Sequence, residues 1–267
     1  MNRLQALATK WAASSNEWEP EMVPSLASPR LWVRESAAGV VVVFYGEPFD
    51  EPFVELVAAL AEAPTAANLA LLEFAGPDQG ANGTCTWDLS MLVDKVASFP
   101  RLAAVRIQQC RPGDHNTHIV AKTYSEDGVL GRLLFKSPEL LELESPSVPG
   151  ENFFQTSPRP LRYLSVDAGY DTQNFIANLA RARNLSSLTA LEYGENEPSH
   201  DDGFQRATLE DYERLFRSDL IPLSYMALRN PAPSDSDLAA LQSIRPNLQL
   251  KVVRSQARYV RRTGKRG

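Results

Sequence analysis

Cysteine and histidine are scarce in this chain of 267 residues: Cys85 and Cys110 are its only thiols, and His115, His118 and His200 its only imidazoles. Two isolated cysteines exclude a disulfide framework and any CxxC-type zinc or redox motif. No run of about 18 apolar residues is present, so no membrane-spanning helix is expected. The start, Met1 to Ala13, reads as a short helix rather than a leader peptide. Together with the low cysteine count, this places the expectation in a reducing cytoplasm. The signatures GxSxG, HExxH, GxGxxG and the P-loop are all missing. On that basis the chain is read as non-enzymatic, with no cofactor and no metal. What remains is an ordinary globular composition, 43% hydrophobic and 22% charged, enough for a sizeable core.

Charge is divided unevenly. The net value is −6, but seven of the 27 Lys and Arg residues lie in 251–267 with no acid among them, leaving 20 basic against 33 acidic side chains elsewhere. The body therefore carries −13. An acidic body repels nucleic acid and draws in basic partners. The basic tail is open to two readings, a nucleic-acid contact or a solvated terminus.

An internal pattern recurs along the chain. An apolar residue, two variable ones, a second apolar residue, one variable and a third apolar or small residue appear at Leu69, Leu72, Phe74; at Leu102, Val105, Ile107; and at Leu140, Leu143, Ser145. The string returns at Leu161, Leu164, Val166; at Leu188, Leu191, Tyr193; and at Leu223, Met226, Leu228, with a less regular copy over 247–253. Intervals between first leucines are 33, 38, 21, 27, 35 and 25 residues. Between the strings lie helical segments. Thr208 caps one with Leu209, Tyr212, Leu215 and Phe216 on one face, and Asp211 stands at the capping-box position. Ser234 opens another with Leu238, Leu241 and Ile244 inward, and Phe175, Ile176 and Leu179 mark a third. Phe53 to Leu60 and Met91 to Val96 do likewise upstream. Near the start, Leu31 to Glu35 and Val40 to Tyr45 are β-prone runs joined by a hairpin-like break. Residues 1–50 are read as an N-terminal cap in which Trp11, Trp18 and Trp32 pack, residues 51–255 as the repeating body, and residues 256–267 as the basic tail.

The strings Leu161-Arg-Tyr-Leu-Ser-Val, Leu188-Thr-Ala-Leu-Glu-Tyr and Leu223-Ser-Tyr-Met-Ala-Leu resemble the LxxLxL core of leucine-rich repeats. The Asn or Cys that such repeats place after the strand is mostly absent, so the copies resemble the irregular repeats of bacterial cytoplasmic leucine-rich-repeat proteins, including those of effector and immunity systems. The resemblance implies an α/β solenoid: a horseshoe with a concave parallel sheet, helices on the convex side, and binding rather than catalysis. Fold-level likeness cannot name the partner.

Side chains alternate across a strand, so the variable positions of each string share the face away from the core. They form three columns. These are Glu73, Arg106, Glu144, Ser165, Glu192 and Ala227; Leu71, Ala104, Glu142, Tyr163, Ala190 and Tyr225; and Ala75, Gln108, Pro146, Asp167, Gly194 and Arg229. Acids outnumber bases there. An acidic strip with aromatic anchors suits a basic protein partner, and the residues expected to bind it are Glu142, Glu144, Tyr163, Asp167, Glu192 and Tyr225. The function expected is that of an immunity or adaptor protein that occludes a basic, toxin-like partner; the number of subunits is left open. An acidic insert, Glu195 to Gly203, extends the strip, binds a divalent cation through oxygen ligands without EF-hand spacing, or stays a solvated loop. Two alternatives belong to other classes. One is a hydrolase with a site around His115, His118 and His200; the other is a scaffold touching nucleic acid through its basic tail.

Overall fold

The computed structural model describes residues 2–12, 30–78, 83–96, 98–110, 114, 116–122, 126–168, 171–195 and 206–254. Helix α1 (Asn2–Ala12) precedes the strands β1 (Leu31–Ser36) and β2 (Gly39–Tyr45). Helices α2 (Glu51–Leu60) and α3 (Ala63–Ala66) follow, then β3 (Leu69–Ala75), β4 (Gly83–Thr86), α4 (Ser90–Lys95), β5 (Ala104–Ile107) and β6 (Asn116–Ile119). Next come α5 (Val129–Lys136), β7 (Glu142–Ser145), a 3-10 turn (Glu151–Gln155), β8 (Tyr163–Asp167), α6 (Phe175–Leu179) and β9 (Ala190–Gly194). The chain continues through α7 (Leu209–Arg217), β10 (Tyr225–Arg229), α8 (Asp235–Ile244) and β11 (Gln249–Val253).

Nine of these strands make one open sheet, ordered β1-β2-β3-β5-β7-β8-β9-β10-β11, while β4 and β6 form a separate two-stranded sheet. The large sheet is mixed. β1 pairs antiparallel with β2 through the turn that Gly39 permits at φ 134°, whereas the pairings from β2 to β11 are parallel. Each apolar string found in the sequence becomes one strand. Leu72 and Phe74 of β3, Val105 and Ile107 of β5, Leu143 of β7, Leu164 and Val166 of β8, Leu191 and Tyr193 of β9, and Met226 and Leu228 of β10 all point into one core. The helices pack in chain order over that face, α2 against α4, α4 against α5, α6 against α7 and α7 against α8. The foreseen capping box forms at Thr208 with Asp211, and Ser234, the other foreseen helix start, makes one with Asp237.

The expectation of a leucine-rich-repeat solenoid is overturned. The architecture is an α/β fold with one large mixed sheet and scattered helices, not a tandem, purely parallel horseshoe. The physical reason lies in what the string encodes. An apolar-x-x-apolar-x-apolar run specifies a strand with one buried face, and any parallel sheet covered by helices on one side demands the same pattern. What would make tandem copies of one solenoid unit is uniformity between strands, and here the connections differ. A four-residue helix joins β2 to β3 after α2, a second small sheet intervenes between β3 and β7, and a 3-10 turn separates β7 from β8.

Smaller expectations also change. Trp11 packs against the core, but Trp32 lies on the opposite side of β1 and is 41% exposed, with the guanidinium of Arg34 5.2 Å from its ring centre. Leu31 takes the buried position, so alternation forces Trp32 outward. Trp18 lies outside the described residues. Leu209 and Ile244, expected inward, sit at helix ends and are partly exposed, at 38% each. No helix is long and apolar enough to cross a membrane among the described residues.

Candidate functional site

The strand register turns the three sequence columns into three rows on the face away from the helices. One row runs Ala104, Glu142, Tyr163, Ala190, Tyr225, Gln249; the next runs Glu73, Arg106, Glu144, Ser165, Glu192, Ala227, Lys251; and Asp167, Gly194, Arg229 and Val253 make the third. All six sequence-derived candidates therefore lie on one face of four neighbouring strands, β7 to β10. Neighbouring strands stand about 4.8 Å apart, so the group spans roughly 15 Å.

Burial divides the six. Glu142, Tyr163, Glu192 and Tyr225 are partly exposed, whereas Glu144 and Asp167 are buried. The charge is also divided. Arg106 stands among three carboxylates, 2.9 Å from Glu142, 3.7 Å from Glu73 and 3.9 Å from Glu144. Arg229 reaches across β9 to pair with Asp167, and both side chains are largely covered. This pair requires Gly194 between its members: a Cβ there would meet Asp167 Oδ1 at 2.5 Å and Arg229 Nη2 at 2.7 Å. Asp167 and Glu144 thus act within the sheet, while Glu142, Glu192, Tyr163 and Tyr225 present atoms outward. Glu192 lies close enough to Tyr225 to help push its phenol above the ordinary value, although desolvation is the larger cause.

At the C-terminal ends of the strands the buried polar groups are mostly joined to one another. Gln109 donates to Ser145 O at 2.9 Å and to Ser165 Oγ at 3.2 Å, bridging β5 to β7 and β8. Ser147 Oγ accepts the amide of Val120 at 2.8 Å. Glu126 caps α5, accepting from the amides of Leu130 at 2.6 Å and Gly150 at 3.0 Å, and burial raises its carboxyl above the ordinary range against these contacts. Beyond β9, Glu195 is buried in an ion pair with Arg206 at 2.9 Å and accepts from Tyr212 Oη at 3.2 Å. Desolvation raises its pKa, with the Arg206 contacts opposing. The start of the acidic insert is therefore held at Glu195; residues 196–205, including His200, lie outside the described residues.

Of the histidines, His115 also lies outside the described residues. His118 is buried on β6, where its Nδ1 accepts the indole N–H of Trp87 at 3.2 Å and its ring stacks on that indole. That contact fixes a neutral tautomer and belongs to packing around Trp87, the largest fully buried side chain among the described residues. Cys85 and Cys110 are free thiols whose pKa values are both pushed up to about 11, chiefly by desolvation, which leaves them weak nucleophiles. No group of three or more His, Cys, Asp or Glu side chains that could hold a metal occurs among the described residues.

The basic segment begins later than its composition suggests. Lys251 belongs to β11, and Arg254 is tied down by Asp235 at 2.6 Å and by the carbonyl of Pro231 at 2.7 Å; residues 255–267 lie outside the described residues. Sequence reasoning missed three members of the site: Gly194 and Arg229 as the frame of Asp167, and Arg106 as the partner of Glu142. Gly194 and Arg229 stood in the column of Asp167 and Arg106 in the column beside that of Glu142, so pairing neighbours along and between the columns was the available signal. Compared with family models and with curated proteins, the chain matches none.

Proposed function

We propose that the chain is a non-enzymatic protein-binding module whose partner docks on the face of β7 to β10. The observation that carries this reading is the register: it brings Tyr163, Tyr225, Glu142 and Glu192 together, partly exposed, on four adjacent strands. Tyrosines supply contact area at low entropic cost, and carboxylates beside them favour Arg or Lys on the partner. The field of the face is softened by Arg106 and Arg229, so the partner matches it by contact at particular residues more than by bulk attraction. An immunity or adaptor role came with the repeat resemblance and is not carried into this proposal. The two free thiols fit a reducing compartment.

The test compares the full chain with two variants, Tyr163→Ala/Tyr225→Ala and Glu192→Lys, each as bait in native extract. A stoichiometric partner held by the unaltered protein is expected to lose tenfold or more in affinity against the tyrosine variant, as for removal of an anchor of about 1.4 kcal/mol or larger. Equal retention by all three proteins, with unchanged circular dichroism, removes this face from the binding reaction.

A further inference from the structure

We propose that a second copy of this chain pairs antiparallel with β1, so that two sheets join edge to edge across a two-fold axis at Val33. The inference goes beyond the partner reading, since β1 is separated from β7 by β2, β3 and β5. β1 ends the nine-stranded sheet, and among the described residues no strand pairs with its outer side. Edge strands that stay single are ordinarily protected by Lys, Pro, a bulge or very short length. β1 has six residues, Leu31-Trp-Val-Arg-Glu-Ser, with no Lys or Pro, and its register with β2 runs without a bulge. On the face away from the core it holds Trp32, a large apolar side chain left exposed beside an open edge. β11, at the other edge, carries Lys251.

The hydrogen-bond pattern of the hairpin fixes which backbone groups are on offer. Tyr45 N donates to Arg30 O at 2.8 Å, and bonded and non-bonded pairs alternate along an antiparallel ladder. Arg30, Trp32, Arg34 and Ser36 therefore turn their amides and carbonyls toward β2, while Leu31, Val33 and Glu35 turn theirs outward. Val40, opposite Glu35, has the same phase: its amide leaves the hairpin and donates to Asn68 O at 2.7 Å. A two-fold axis normal to the sheet sets one residue opposite its own copy, and only Leu31, Val33 or Glu35 has outward groups to exchange there. An axis at Glu35 would set two carboxylates against each other. An axis at Leu31 would leave Val33 and Glu35 beyond the end of the second β1. The axis at Val33 pairs Val33 with Val33 and, twice, Leu31 with Glu35, for about six backbone hydrogen bonds. It also puts Trp32 of each copy opposite Arg34 of the other, as a close non-hydrogen-bonded pair. Within one chain the guanidinium of Arg34 already lies 5.2 Å from that indole, so each indole gains a second cation on the same face.

A six-residue edge makes a small interface, so a dissociation constant on the order of 10 μM is expected. Sedimentation equilibrium of the full chain over a concentration series around this value should show monomer and dimer in exchange. Trp32→Lys sets a cation opposite Arg34 of the second copy in both symmetric pairs and should weaken dimerisation tenfold or more. Trp32→Glu removes the same indole but answers Arg34, and should keep the dimer within about threefold of the native constant. Trp32 points away from the core, so circular dichroism is expected to be unchanged in both. Val33→Cys should oxidise to a covalent dimer, because its two copies face each other at a Cα separation of about 5.5 Å. Glu35→Cys, about 14 Å from its own copy, should not. Protein that stays monomeric to about 0.1 mM, a dimer indifferent to Trp32→Lys, or cross-linking that prefers Glu35→Cys overturns the proposal. Amide exchange at Leu31, Val33 and Glu35 distinguishes other occupants, since it is expected to slow only as the dimer forms. Slow exchange in the dilute monomer would mean that the chain's own residues cover the edge, and slowing only when a protein from extract is added would mean a foreign strand. Either result overturns the second copy as the occupant. None of these variants alters Tyr163, Tyr225 or Glu192, so this outcome is separate from that of partner capture.

Discussion

Gly194 is where the exposed face is most tightly constrained. Asp167 and Arg229 meet across it, and the two side chains occupy the space that any Cβ would need. Gly194→Ala must push the pair apart or displace its strand. Breaking a buried ion pair leaves each charge desolvated and uncompensated, a cost of about 3 kcal/mol at such covered positions. A urea titration is expected to show the midpoint moved down with the slope m kept. A shift below about 0.5 kcal/mol would mean that the pair is not a structural constraint. The same triplet shows what the sequence could and could not say about charge. Asp167, Gly194 and Arg229 stand in one column of variable positions, so their common face was legible. That two of them neutralise each other was not, because residue type records a charge but not whether a neighbouring strand answers it. Counting acids overstated the field for this reason: Arg229 answers Asp167, and Arg106 stands against Glu142 as well as Glu73 and Glu144.

At the scale of elements, strands with alternate buried positions were legible and strands without them were not. Phe74, Ile107, Val166 and Leu228 mark their strands by period 2, while Gly83–Thr86 is a four-residue piece with Cys85 alone buried and Asn116–Ile119 is buried throughout, Asn116, Thr117 and His118 included. The small sheet they form went unseen, and with it the site of Trp87. The repeat resemblance failed at the same scale, since a string can define a strand without defining how its connection is built. Helix caps divide likewise. Thr208 and Ser234 cap from the adjacent turn and announce themselves. The start of α5 is instead served by Glu126, whose two oxygens hold Leu130 N and Gly150 N. Its folded pKa is raised, so the folded state favours the protonated form. Its stabilising contribution is complete below the unfolded value of about 4.3 and declines as pH climbs through the folded one. Glu126→Gln removes that dependence. The stability of the native protein minus that of the variant should therefore fall as pH rises above the ordinary carboxyl value, measured by denaturant titration at each pH. A difference that is flat or rises with pH rejects the assignment.

For the whole molecule, the decisive feature is that one core runs from Leu4 and Leu7 of α1 to Leu248 before β11, without a break at residue 50. The N-terminal helix and hairpin share apolar contacts with the rest, so they should unfold with it. Two sets of aromatic side chains, far apart in the sheet order, allow a direct check. Near the β1 end, Trp87 is enclosed by Phe53 at 5.3 Å and Phe74 at 6.1 Å. Near the β11 end, Tyr193 stacks on Phe175 at 5.2 Å and Tyr212 donates to Glu195. Both phenols are pushed well above the ordinary value, first by desolvation and then by the negative charge of Glu195. A raised phenol pKa favours the neutral form in the folded state, so the stability it contributes is held below the ordinary value and lost as pH rises toward the folded one. In an alkaline titration two of the eight tyrosines should stay silent until the chain opens, then ionise in one step. If the core is a single cooperative unit, that step coincides with the fluorescence change of Trp87, isolated as the difference between the native protein and Trp87→Phe. Phenolate absorbance that rises while Trp87 is still enclosed would show the β9 to β11 end opening independently. The sheet would then be two cooperative units despite its continuous core.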